Sequence, residues 1–336
     1  TAIRALEDAG IPHPRAVGLI ETREESGSND LEHYLKKNAA RFGSPRLVCV
    51  LDSGAGNYEQ LWLTSSLRGA CAIDLNVRVL RQGIHSGTAS GVVPSSFDVL
   101  RILLDRIQDP RTGAILDPAF NVEIPSNRMD DMKKTAEVLG DGFISEFPWA
   151  EGPNGSVQSR CRGTEEALIA RCWKPTLSVT GAAGLPPLSM AGNSLRSDTT
   201  LRLSFRLPPT AKTENILPAL QKKLLTDPPF NGVVSIAGGD ALPGWNAPSE
   251  ADWFRSACDE SSKALWGKPA MRIGEGGSIP ILNLFEAQFP RAQFAVTGVL
   301  GPGSNAHNAD ESLDLAYTEK FIAAVGYLAA SIPEEA

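Results

Sequence analysis

The sequence has no run approaching the roughly 18 consecutive apolar residues of a membrane span, and no basic-then-apolar signal region opens it. No membrane partner is expected. Positive charge is not in excess either: 32 Lys and Arg stand against 39 Asp and Glu, a formal charge of −7 with the two signs interspersed. Without a basic stripe to neutralise a phosphate backbone, nucleic acid is excluded as an expected partner. Cysteine is sparse. Cys49, Cys71, Cys161, Cys172 and Cys258 are odd in number, widely spaced and free of CxxC pairs. That pattern argues against a disulfide framework or a thiolate zinc site and suits reduced thiols in a cytoplasmic protein. Histidine is scarcer still, since His13, His33, His85 and His307 are the whole supply. The chain opens on Thr1, and residues 2–9 read as the tail of a helix ending at Gly10, so the natural chain is expected to begin earlier.

What is present suits two hydrophobic cores: 336 residues, 42% apolar and 21% charged. Residues 16–21 form a short apolar run, 31–42 suit a helix, and 46–51 (RLVCVL) form a second apolar run, a βαβ-like start. The runs do not alternate, which favours strands covered on both faces in a mostly parallel sheet. From residue 68 the pattern changes. Ile73, Leu75, Val77 and Val79 alternate with Asp74, Asn76 and Arg78, predicting a half-buried antiparallel strand. A helix is expected from Pro94, with Phe97, Leu100, Leu104 and Ile107 on one face. A long irregular stretch follows, then strands near 176–180 and 200–207, a helix over 214–225 and a strand over 233–237. The order β, α, β, β, α, β is that of a ferredoxin-like α+β unit, so residues 68–240 are expected to be an inserted domain. Helical patterns over 251–266 and 313–330 and an apolar run over 293–299 return to the first style. The reading is α/β with a discontinuous outer domain, residues 1–67 and 241–336.

Active-site groups in open α/β sheets gather at the carboxyl ends of strands, and both early apolar runs end in acids. Glu24 and Glu25 lie in ETREESGS, where adjacent carboxylates can divide into a metal ligand and a general base. Alternatively, they are the acidic first turn of a helix beginning near Asn29, capped by Ser28 or Asn29. Asp52 ends RLVCVLDSG and is either a ligand or a turn aspartate before Gly54. His307 stands in GPGSNAHNADESLDL, a loop able to present an imidazole to a metal or simply to solvent. Oxygen and nitrogen donors without sulfur suit zinc, or manganese or cobalt in its place. Arg206 lies on the polar face of the strand Leu201, Leu203, Phe205, Leu207, where its fork can take a substrate carboxylate, while Arg202 on the same face serves as the solvated comparison.

ETREESGS, the LDSG strand end, IHSGTASG, FRLPPT, GEGGSIP and GSNAHNADESL occur in one order along most of the chain. Together they resemble the aminoacylase, carboxypeptidase G and carnosine dipeptidase family of zinc metallopeptidases, and within it the cytosolic nonspecific dipeptidases. The resemblance implies a zinc-peptidase-like catalytic domain carrying an inserted lid and dimerisation domain. It implies hydrolysis of dipeptides or small peptides by a metal-activated water, with two zinc ions per full-length subunit. Glu24 would then be the general base, Glu25 and His307 would hold one metal, and Asp52 the other. His85 would reach the partner subunit's active site in a homodimer and stabilise the tetrahedral oxyanion. Asn193 would lie near the substrate, and Arg206 with the loop Gly276, Gly277 and Ser278 would hold its terminal carboxylate.

The departure from the family is as specific as the match. An HxDxxP motif and a metal-bridging aspartate belong upstream of the glutamate pair, and neither occurs here. This chain alone is therefore expected to be inactive, with an exposed sheet edge or a companion N-terminal fragment. Two other readings stand beside the dipeptidase. One is an N-acyl amino-acid or desuccinylase-type amidohydrolase using the same site; the other is a non-catalytic binding protein that retains the fold.

Overall fold

The computed structural model describes residues 1–333 apart from 27 and 29, and leaves the side chain of Glu25 outside the description. The first third of the chain carries α1 (Ala2–Asp8), α2 (Leu31–Lys37), α3 (Ala39–Phe42), β1 (Leu47–Leu51), β2 (Trp62–Leu67), β3 (Gly69–Arg78), β4 (Ile84–His85), α4 (Ser86–Ala89) and α5 (Ser96–Asp105). The middle carries α6 (Ser126–Leu139), α7 (Gly142–Ser145), β5 (Glu151–Gly152), β6 (Gly155–Ser156), α8 (Thr164–Trp173), β7 (Thr176–Ala183), β8 (Ser194–Leu195) and β9 (Asp198–Leu207). There follow α9 (Ile216–Leu225), β10 (Val233–Leu242), β11 (Trp245–Asn246), α10 (Asp252–Trp266), β12 (Met271–Glu275), α11 (Ile281–Gln288), β13 (Gln293–Thr297) and α12 (Leu315–Ala330).

Strict alternation builds one sheet. Ile73, Leu75 and Val77 of β3 and Leu201, Leu203, Phe205 and Leu207 of β9 are buried, and the two strands pair antiparallel in register from Gly69 opposite Leu207 to Arg78 opposite Asp198. The sheet order is β10-β3-β9-β7, the ferredoxin-like arrangement, with α5 and α9 supplying Val99, Leu100, Leu103, Ile216, Leu220 and Leu224 to its core. Each such side chain, fully buried, contributes about 1.5–3 kcal/mol. Arg202 points away from this core and forks onto Asp74 at 2.7 and 2.8 Å.

The other strands pair in parallel: β1 with β13, and β2 with β12, with β11 antiparallel on the edge of β2. β2 (WLTSSL) is buried along its whole length; the Thr64 hydroxyl pairs with that of Ser53 and the Ser65 hydroxyl donates to Ile273 O, while the buried Ser66 hydroxyl has no partner among the described residues. Packing cuts across the 68–240 span. Met132 of α6 and Leu168, Cys172 and Trp173 of α8 join one core with Trp62, Ile273 and Phe254, and Thr135 Oγ1 donates to Arg272 O at 2.8 Å. These two helices thus cover the β2–β12 sheet rather than the ferredoxin-like one.

Four local expectations are corrected. Residues 16–21 form no strand, and Val17, Leu19 and Ile20 are exposed, Ile20 at 90%. A strand exists only where its backbone groups find partners, and β1 pairs with β13 instead. The 31–42 helix is broken at Asn38, which leaves helical geometry (φ −104°, ψ 14°) and caps Tyr34 O through its side chain. On α5, Phe97 is exposed, and the buried face runs through Val99, Leu100 and Leu103 to Ile107 beyond its end. The stretch expected to be irregular contains α6 and α8, whose inward faces include Thr135, Thr164, Ala136 and Ala167 beside the larger apolar groups.

Candidate functional site

Parallel pairing brings loops together. Asp52 follows β1 and the 298–312 loop follows β13, and the two segments continue alongside one another beyond the strands, with Ala55 N donating to Leu300 O at 2.8 Å. Gly298 makes the approach feasible: a Cβ there would lie 2.6 Å from Ser53 C and 2.9 Å from Ser53 N, closer still to the carbonyl oxygen. The two loops are therefore in direct backbone contact. His307 stands in the second of them, exposed, with φ +63°.

The 276–278 loop follows β12 and meets the start of the ferredoxin-like sheet. Arg206, on β9, donates from Nη1 to Ser278 Oγ at 3.3 Å, and Ser278 Oγ donates to Arg68 O at 2.5 Å. Arg171 of α8 lies on the other side of this loop. Its Nη2 reaches Glu275 Oε2 at 3.2 Å, and its guanidinium covers the Phe143 ring at 4.7 Å. Burial, the largest single influence, would lower the Arg171 pKa, but Glu275, Cys172 and Glu146 together outweigh it and the net shift is upward. A cavity of about 400 Å³ opens between these parts, lined by the Asp52 loop, residues 300–305, Leu139, Phe143, Glu146, Arg171, Glu275, Gly277 and Ser278. Its lining mixes apolar side chains with the carboxylates of Asp52, Glu146 and Glu275, the Arg171 guanidinium and the Ser278 hydroxyl, groups able to bind a polar small molecule.

No protein-family model matches the chain. It is 26% identical to the Cys-Gly metallodipeptidase of Schizosaccharomyces pombe over 94% of this chain and 66% of that protein. It is 24% identical to the cysteinylglycine-S-conjugate dipeptidase of Corynebacterium striatum, over 93% of this chain and 66% of that one. The chain is homologous to the metallodipeptidases. It spans just under two thirds of the length of these relatives. The solved structure of the di-peptidase Dug1p from Saccharomyces cerevisiae shares its fold, with a TM-score of 0.75 at 21% identity, covering 99% of this chain and 69% of that one.

The residues assigned to a metallodipeptidase site fall into three places. Asp52, Gly277 and Ser278 line the cavity; Gly276 adjoins them and Arg206 reaches Ser278. His307 lies two residues beyond Asn305, the last of its loop to line the cavity. Glu24, half-buried in the short 3-10 turn Glu24–Ser26, does not line it, and the Glu25 side chain lies outside the described residues, as does Asn29. His85 and Asn193 sit together elsewhere, on the small β4–β8 sheet. There Ser86 N donates to Asn193 O at 2.9 Å, and His85 Nδ1, exposed, accepts from Gly87 N. Among the described residues no group of three or more His, Cys, Asp or Glu comes together to hold a metal. Asp52 and His307 are donors of the right kind, but the described donors do not by themselves make the ligand set of a metalloenzyme.

Sequence reasoning missed Arg68, Arg171, Glu146 and Glu275. A signal existed for Arg68, a lone charge closing the buried run LWLTSSL. Arg171 carries none, because its place depends on how α8 docks against β12.

Proposed function

We propose that the whole protein is a metal-dependent dipeptidase acting on small peptides with a free C-terminal carboxylate. The observation that carries this is the Arg206–Ser278 contact beside a cavity that Ser278 lines together with Asp52 and residues 300–305 of the loop that goes on to His307. Its relatives' names, a Cys-Gly metallodipeptidase among them, support the same substrate class. Arg206 and the Ser278 hydroxyl bind the carboxylate with charge-assisted hydrogen bonds, which fixes the scissile bond toward the Asp52 side. Glu24 takes the proton of the attacking water and passes it to the leaving amine. Zinc, held through Asp52, Glu25 and His307, is the proposed metal, two ions per full-length subunit. Such a metal polarises the carbonyl and makes the water more acidic.

His85 and Asn193 are proposed to act on the cavity of a second copy. Both lie off the cavity of their own chain, in a surface where Val92, Leu188 and Met190 are 83%, 95% and 74% exposed. β7 is an edge strand of the ferredoxin-like sheet, able to extend it across a homodimer. The five unpaired thiols are in keeping with the cytoplasmic location proposed here.

The deciding experiment is elemental analysis and hydrolysis on the full-length protein. Bound metal, cleavage of unmodified dipeptides and loss of turnover in Glu24→Gln support the dipeptidase. Cleavage of N-acyl amino acids but not dipeptides would move the assignment to the amidohydrolases, and neither metal nor hydrolysis would leave a binding protein. A monomeric mass by sedimentation would refute the shared site.

A further inference from the structure

Arg68 links β2 to β3, and its residue is only 8% exposed. Its guanidinium nevertheless meets neutral oxygens: Nε donates to Gly276 O at 3.2 Å, and Nη1 to Lys174 O and Thr176 Oγ1, both at 3.4 Å. Among the described residues no carboxylate lies within ion-pair distance of it. Its charged neighbours include two further guanidiniums, and burial together with Arg206 and Arg171 holds its pKa down to about 10. Arg171 has Glu275 as its ion-pair partner, and Arg206 donates to the Ser278 hydroxyl, with no ion pair among the described residues. Three guanidiniums thus meet here; Glu275 and Glu146 both act on Arg171, while among the described residues Arg68 has no carboxylate partner of its own. An uncompensated buried charge costs several kcal/mol in a protein interior, so its retention calls for an anion from outside the chain or for a grip that the charge itself makes.

The grip is visible. Arg68 holds the 276–278 loop from two directions, with its side chain on Gly276 O and its own carbonyl on the Ser278 hydroxyl. Gly276 has no room for more, because a Cβ would stand 3.1 Å from Arg68 Nη2 and 3.2 Å from Arg171 Cγ.

We infer that Arg68 is a positioning residue of the carboxylate subsite: it sets the Gly276–Ser278 loop for the substrate's carboxylate, and that carboxylate supplies the counter-charge the chain does not. This rests on the reading of Arg206 and Ser278 as the carboxylate site. At an effective dielectric of about 20 and a separation of about 6 Å, the interaction is large enough to change affinity by tenfold or more.

The test compares a dipeptide with its C-terminal amide on the metal-loaded full-length enzyme, in the wild type, Arg68→Met, Arg68→Lys and Arg206→Met. The expected result for Arg68→Met is a KM for the acid that rises at least fivefold more than the KM for the amide, with kcat for the acid changing less than its KM. Arg68→Lys keeps the charge without the fork and should lose at least a threefold share of the acid preference, so it decides the question should Arg68→Met not fold. If either variant that folds raises both KM values equally, Arg68 is a structural residue and the inference is overturned. If the wild type shows no preference for the acid, or Arg206→Met leaves that preference intact, the carboxylate site itself is misassigned and both claims fall.

Discussion

Gly298→Ala tests whether the two loops proposed to carry metal ligands are one mechanical unit. The added Cβ would run into the backbone of Ser53, at 2.6 Å from Ser53 C, 2.9 Å from Ser53 N and nearer still to Ser53 O. None of these atoms is the end of a flexible side chain, so the loops must separate by roughly 2 Å to restore ordinary contact. Overpacking of this kind costs about 1–3 kcal/mol of stability. The functional cost should be larger, because a displacement of about 1 Å at a reacting centre lowers turnover about a hundredfold. The assay is kcat/KM for a dipeptide, metal content and urea unfolding of the full-length enzyme, with Gly142→Ala as the comparison. Gly142 lies in α7 with open space where its Cβ would be, so that variant should behave as wild type. Metal content and kcat/KM within threefold of wild type in Gly298→Ala would refute the coupling of Asp52 to the His307 loop.

Arg206→Met should raise KM for dipeptides about tenfold or more, whereas Arg202→Met, on the same strand face but forked to Asp74 in solvent, should leave steady-state kinetics as they were. Equal effects would remove Arg206 from the site. Arg272 is buried and forked on Glu250 at 3.0 Å, with Asp259 at 2.8 Å, so Arg272→Met strands two carboxylates and should cost about 3–5 kcal/mol by urea unfolding. A loss below about 1 kcal/mol would show that Arg255, also on Glu250, takes over the pairing. Burial pushes the Cys172 thiol up to about 11, so the folded chain keeps a proton that the unfolded chain releases near its ordinary value of 9. That contribution is whole below about pH 9 and is lost as pH rises through 11. The urea midpoint should fall over that interval, and a flat profile would contradict the burial.

The parts of the fold that repeat a period were legible. β3 and β9 alternate strictly because one face of their sheet is covered and the other wet, and the polar members, Asp74 and Arg202 among them, stay outside. β2 was not legible, because Thr64, Ser65 and Ser66 are buried in its middle and read as loop. The motifs GEGGSIP and GSNAHNADESL marked loops at strand ends correctly, since glycine and asparagine are favoured where backbone turns left-handed, as at Gly303 and Asn305. What no linear pattern holds is which helix lies over which strand. That information places Arg171 and Glu146 on the cavity and carries α6 and α8 out of the ferredoxin-like unit.

The cavity's position follows from direction alone. β1 runs parallel to β13 and β2 parallel to β12, and the cavity is lined by what comes at their carboxyl ends: Asp52 to Gly56, Leu300 to Asn305, Glu275 with Gly277 to Ile279, and Leu67. The segments that leave β1, β13 and β12 emerge at the carboxyl ends of these strands and, with Phe143 of α7 and Arg171 of α8, border this space. Because Arg68 sits at the end of β2 and opens β3, the ferredoxin-like sheet is joined to the cavity by a rigid link rather than a linker. A movement of that sheet would therefore change the seat of Ser278 directly, and Arg206, carried on β9, would move with it.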